Sequence, residues 1–108
     1  MSALAQFEKL LASGRDDALL RYSLGNECLK AGDAERAVEH LRRALAFDAN
    51  YSAAWKLLGR ALGECGALQD ALDAYRAGIR VAQARGDAQA AREMAVFARR
   101  IEKQLTPE

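Results

Sequence analysis

The sequence predicts an all-α superhelix of stacked helix hairpins, and three observations carry that prediction. Sliding the chain by 34 residues brings Leu24 onto Leu58, Gly25 onto Gly59, Gly32 onto Gly66, Ala37 onto Ala71, Leu41 onto Tyr75 and Leu45 onto Ile79. Coincidences of small or apolar residues at one offset mark a repeated unit of helix-hairpin size. The composition is 51% hydrophobic but only 6% aromatic, so alanine and leucine supply most of the apolar surface, as helices favour. The single proline, Pro107, lies in the tail, so nothing from Met1 to Thr106 carries the strongest helix breaker. At 108 residues the chain is one domain, and a domain of that size buries about two thirds of the surface its unfolded chain exposes.

Each helix has its own signals. Residues 3–12 place Leu4, Phe7, Leu10 and Leu11 at helical spacing, with Ser2 as N-cap and Gly14 as a stop. Ala3, Phe7, Leu10 and Leu11 stand 34 residues before Ala37, Leu41, Ala44 and Leu45, so this helix reads as the second half of a repeat. Asp16 and Asp17 open the next helix, 17–31, with Leu20, Leu24 and Cys28 on its buried stripe and Gly25 where another helix approaches. Gly32 ends it, and Asp33 caps the helix over 34–47, whose stripe is Ala37, Leu41, Ala44 and Leu45. A turn this short forces the two helices to pack antiparallel.

Asn50 is the expected cap of a helix over 51–65, closed by Gly66. The following helix starts near Ala67 with a poor cap, carries Ala71, Leu72, Tyr75, Ile79 and Ala82, and meets no stop before Gly86, so it should reach Ala84 or Arg85. Asp87 caps a last helix to about Leu105, with Ala91, Met94, Ala95, Ala98, Ile101 and Leu105 on one face. That helix leaves the 34-residue register and has the character of an end cap on a stack. Phe97 falls at the edge of its stripe, Val96 opposite, and the tail 106–108 should fray.

Net charge is +1, which argues against a chain built mainly to hold nucleic acid. The charge is unevenly spread: residues 76–104 are net +4, and residues 1–75 are net −2. Cys28 and Cys65 form no CxxC and read as reduced thiols, Cys28 as a small buried hydrophobe and Cys65, in a turn, as the more reactive of the two. With no secretory start and no apolar run of membrane-spanning length, the expectation is a cytoplasmic protein without membrane contact.

Trp55, Leu58, Gly59 and Leu62 follow the pattern W-x2-L-G-x2-Y with leucine in the tyrosine slot, and Ala71 with Tyr75 follows A-x3-F. The earlier copy has Leu24, Gly25, Ala37 and Leu41, but Arg21 in the tryptophan slot and Cys28 in the tyrosine slot. The chain therefore resembles the tetratricopeptide-repeat family. The resemblance implies an α-α superhelix: a half-repeat helix in 1–15, full repeats in 17–50 and 51–85, and a capping helix in 87–105. Both copies lack the closing proline, with Ala49 and Gln83 in its place; the second lies in a helical run, so no regular third unit is expected.

In this family the first helices of successive repeats line a concave groove for a peptide or protein surface. At 100° per residue from the core stripe, that wall should hold Leu19, Tyr22, Asn26 and Leu29, followed by Ala53, Lys56, Arg60 and Gly63. The row sets Tyr22 beside Lys56 and Asn26 beside Arg60, which favours an extended segment bearing a carboxylate. Some family members grip a C-terminal carboxylate with Lys, Asn and Arg from three repeats. Only Asn26 suits that pattern here, so that activity is not carried over. Trp55 and Tyr75 read as core.

His40, the only histidine, falls on the polar side of its helix and reads as a surface residue. No Cys/His/carboxylate set has metal-ligand spacing and no phosphate-binding loop occurs, so no enzyme, metal or cofactor is expected. The leading expectation is a scaffold or adaptor that binds an unidentified protein or peptide, as a monomer or weak homo-oligomer. A homo-oligomeric structural module is the second reading. Weak nucleic-acid binding by the arginine-rich C-terminal helices ranks below both, since those helices lack interleaved aromatics.

Overall fold

A computed structural model describes residues 2–106. The expectation for Pro107 and Glu108 in the tail lies outside the described residues. Six helices follow in order: α1 (Ala3–Ala12), α2 (Ala18–Lys30), α3 (Ala34–Phe47), α4 (Ser52–Glu64), α5 (Leu68–Ala84) and α6 (Ala88–Leu105).

Short polar side chains start most of them. Ser2, Asp17, Asp33 and Asp87 accept from the backbone N–H of Ala5, Leu20, Arg36 and Ala90, at 3.1, 2.8, 3.1 and 3.0 Å. Each satisfies an N–H that the first helical turn leaves without a partner. The ends of α2 and α4 repeat one device. Asp33 N–H reaches back to the Cys28 carbonyl and Ala67 N–H to that of Leu62, both at 2.9 Å. Gly32 and Gly66 make this possible with φ of 80° and 79°, which a side chain would strain.

Asn50 does not cap α4. The Asp48 carboxylate holds the turn instead, accepting from Asn50 N–H at 3.0 Å, and the N-cap position falls on Tyr51, which makes no side-chain cap bond. An Asx-type turn centred on Asp48 competes for the same short segment and wins. Ala67 is the poor cap expected for α5.

Every helix packs on its neighbour in sequence, and α2 also touches α4, as α4 touches α6. The backbones of α1 and α3, and of α3 and α5, stay apart among the described residues, and only the Arg36 side chain of α3 reaches across to Glu8 of α1, at 2.6 Å. The even-numbered helices are thus drawn together on the inside of a curved stack and the odd-numbered ones spread outside. Its long axis measures 49 Å against 30 and 19 Å across.

The expected stripes of α2 to α6 supply the core, with Ile79, Ala95 and Leu105 half-buried at its edge, whereas α1 buries no residue and leaves Leu10 39% exposed because only α2 packs along it. Leu20, Leu24, Cys28, Leu41, Ala44, Ala71, Tyr75, Ala82, Met94 and Ile101 are all buried. Glycine sets the spacing within each hairpin. A Cβ on Gly25 would stand 2.6 Å from Leu41 Cγ, and one on Gly59 the same distance from Tyr75 Cε1. Trp55 is half-buried, since its indole N–H reaches out to the Ala49 carbonyl at 2.8 Å.

Candidate functional site

On the inner side of the curve, α4 and α6 stand apart above α5 and enclose an open cavity of about 590 Å³. Its apolar lining comes from Leu57, Leu68, Tyr75, Phe97 and Ile101. The Tyr75 and Phe97 rings stack at 5.6 Å between centroids, 29° from parallel, and so form one continuous aromatic surface. Lys56, Arg60, Glu64, Arg100 and Gln104 add polar groups. Gly59 and Gly63 lie in the α4 wall and contribute no side chain, which is why that wall stays open. Gly59 is also what lets Tyr75 reach up from α5.

Three of the groove residues read from sequence, Lys56, Arg60 and Gly63, line this cavity. The other four do not join them. Leu29 is 5% exposed and belongs to the core, so it is no part of a wall. It lies at the edge of the α2 stripe, and the core extends over that edge. Leu19 is 59% exposed, and Asn26 is half-buried. Tyr22 stacks on Tyr51, with centroids 4.9 Å apart and planes at 27°.

The two cations expected at the groove centre already have partners. Lys56 Nζ donates to Glu93 Oε1 at 2.8 Å, and that bond holds the Glu93 carboxyl below its ordinary pKa. Arg60 Nε donates to Glu64 Oε2 at 3.1 Å. Arg100 differs: its guanidinium lies 5.7 Å from the Phe97 ring centroid and forms no ion pair among the described residues. Burial raises the Tyr75 phenol pKa, and the nearby Arg60 charge opposes that rise. Phe97 and Arg100 were outside the groove read from sequence. Their one sequence signal is Phe97 at the edge of the α6 stripe, a large ring on a flank that the core does not use.

A second polar cluster ties α2 to α3. Arg21 donates from Nε and Nη2 to the two Asp16 carboxylate oxygens at 2.7 and 3.0 Å, and its Nη1 lies 3.1 Å from His40 Nδ1. His40 is 8% exposed and is not the surface residue expected. Arg21 occupies the slot that Trp55 fills one repeat later, and His40 the slot of Ala74, so a polar pair stands where the next repeat packs a large ring over a methyl group. Arginine can only donate, so Nδ1 accepts and the neutral ring carries its proton on Nε2.

Burial lowers the His40 pKa, with help from the Arg21 and Arg36 charges; Glu39 and Glu8 act the other way. The unfolded chain therefore binds this proton more readily, and stability should fall as pH drops below the ordinary histidine value of about 6.5. In urea titrations the wild type is expected to lose more stability between pH 7.5 and 5.5 than His40→Gln does. Equal pH dependence in the two proteins would refute this assignment.

Cys28 is buried, which raises its thiol pKa, and Cys65 is exposed. No group of three or more His, Cys, Asp and Glu side chains is placed to hold a metal among the described residues. No described helix is long and apolar enough to cross a membrane.

Comparison with known proteins places the chain among relatives. A sequence model described as a tetratricopeptide repeat matches residues 18–61. A TPR repeat-containing protein of Pseudomonas aeruginosa is 50% identical over 99 residues, spanning 92% of this chain and 94% of the relative. A Bordetella parapertussis protein solved in solution is 39% identical, with a TM-score of 0.84, over 96% of this chain and 90% of that one. YrrB, described as a TPR protein with an unusual peptide-binding site, is 26% identical with a TM-score of 0.69, over 92% of this chain and 58% of YrrB.

Proposed function

The chain belongs to the tetratricopeptide-repeat family, and from that premise we propose that it is a protein-interaction module whose working site is the cavity between α4 and α6. The observation that carries this reading is the pairing of an aromatic and aliphatic lining with cations in one open cavity on the inner side of the stack. Pockets that bind polypeptide anchors have this composition: apolar surface supplies affinity, and a few polar groups set orientation. The ligand is a peptide segment that inserts one large apolar side chain against Tyr75 and Phe97 and places a carboxylate at Arg100 and Arg60.

The two cations contribute differently. Arg100 is free to receive a carboxylate directly, while Arg60 must exchange Glu64, an exposed partner one turn away that costs little to release. Lys56 is tied across the cavity to α6 through Glu93, so it braces the two walls. YrrB, a TPR protein with an unusual peptide-binding site, supports a peptide as the ligand class.

Binding to an array of acidic peptides, each with one large apolar residue, tests the proposal. The double variant Arg60→Glu, Arg100→Glu is expected to bind the selected peptide at least about tenfold more weakly. Gly63→Leu is expected to do the same by filling the cavity, since nothing lies within 4 Å of a Cβ there. Unchanged affinity in both variants, with circular dichroism confirming the fold, would move the binding site elsewhere.

A further inference from the structure

The structure points to a second docking surface on the opposite side of α6. The helices on the inner side do not share the same surroundings. Helix α2 lies between α1 and α3, and α4 between α3 and α5, whereas α6 packs on α5 along one flank and only touches α4 along its inner edge. Its outer flank faces away from both of them. Among the described residues nothing covers it.

The sequence of that flank is unusual for a surface helix. Arg92, Val96, Arg99 and Lys103 follow one another at spacings of four, three and four residues, all exposed. They form a straight strip about 16 Å long, diametrically opposite the buried Met94, Ala98 and Ile101. The strip holds three cations and no acid. The two acids on α6 are turned away, Glu93 to Lys56 of α4 and Glu102 to Arg76 of α5, each at 2.8 Å. Arg92, Arg99 and Lys103 form no ion pair among the described residues. Arg99 and Lys103 stand one turn apart, a like-charge arrangement that weakens an isolated helix. Between the charges, Val96 is 48% exposed.

Three- and four-residue spacing is the seam along which one helix packs on another. Here the seam is basic at its ends and apolar at its centre. We propose that this flank receives an acidic amphipathic helix from a partner protein. Its aspartates or glutamates recur at the same three- and four-residue spacing to meet Arg92, Arg99 and Lys103, and one aliphatic side chain among them covers Val96. A nucleic acid suits the strip less well, because no aromatic side chain is interleaved with the cations for base stacking. A bilayer suits it less well too, since a single valine offers little to insert. The surface is separate from the cavity between α4 and α6, so the two sites can fail independently.

The test uses the full chain and a fluorescein-labelled synthetic peptide with glutamates at this spacing around a central leucine, read by fluorescence anisotropy. Saturable binding that weakens as salt rises is expected. The variant Arg99→Glu, Lys103→Glu should weaken it at least about tenfold; Gly63→Leu, which fills the cavity from the α4 side, should weaken it far less. A peptide of identical composition but scrambled order should bind at least about tenfold more weakly, because it lacks the seam. No binding at the solubility limit, equal binding of the scrambled peptide, or tighter binding of a single-stranded oligonucleotide would each overturn the proposal. So would a homodimer by light scattering that Arg99→Glu, Lys103→Glu dissolves, since the occupant would then be a second copy.

Discussion

Leu41→Ala is expected to lower the free energy of unfolding by about 3–5 kcal/mol, the upper part of the range for a large-to-small core change. Leu41 is fully buried, and its side chain fills the space that Gly25 leaves on the facing helix. A cavity costs most where its walls cannot move in. Gly25 has no side chain to move, so the void stays open. Against a total stability of about 5–15 kcal/mol this is a large fraction, and it should appear in urea as a lower midpoint with little change in slope. The same geometry predicts a reversal of sign. Gly25→Ala alone should destabilise, because its Cβ would meet Leu41 Cγ at 2.6 Å. In the Leu41→Ala background it should recover part of the loss by filling the void. A double-mutant cycle reads this as a favourable coupling; additive losses would show that the two positions do not compete for one space.

The second large effect is expected at Gly78, where α5 meets α4 and α6 together. A Cβ there would stand 2.5 Å from Met94 Sδ and 2.8 Å from Trp55 Cβ. The methionine is flexible and can yield. Trp55 Cβ cannot, because it moves only with the α4 backbone. Gly78→Ala should therefore cost about 1–3 kcal/mol by overpacking, more than offsetting the ~1 kcal/mol that alanine gains over glycine in a helix. Strain at this point pushes α4 and α6 apart, so the variant should also weaken peptide binding in the cavity between them. Thermal and urea unfolding measure the first effect, and anisotropy with the selected peptide measures the second. A more stable Gly78→Ala protein would mean that α4 has room to shift.

Much of this architecture was legible in the chain before folding. Helical periodicity is local, and it placed Leu24, Cys28, Leu41, Tyr75, Met94 and Ile101 on faces that the structure buries. The caps at Asp17, Asp33 and Asp87 were legible for the same reason, because each acts within three residues of itself. Where local signals competed, the reading failed. Asp48 and Asn50 can both organise the turn before α4, and only the folded chain selects Asp48.

The lining of the cavity was legible in part. Lys56, Arg60 and Gly63 came from the α4 wheel and do line the cavity. Glu64 lies one turn from Arg60, so that pairing lay within reach of the sequence, whereas Glu93 lies 37 residues from Lys56 and did not. A helical wheel counts neighbours on one helix alone and leaves His40 exposed, whereas its hydrogen-bond partner Arg21 belongs to another helix.

An all-α stack of two matched hairpins with flanking helices follows from the chain alone, because a 34-residue recurrence of small and apolar residues admits few other packings. Which side chains share the cavity and which face outward depends on how the helices are set against one another. The length of α5 sets the height and rotation of α6, and these bring Phe97 and Arg100 over Tyr75 and turn Arg92, Val96, Arg99 and Lys103 outward. Such distances between helices depend on how whole side chains pack across them, and no periodicity within one helix encodes that.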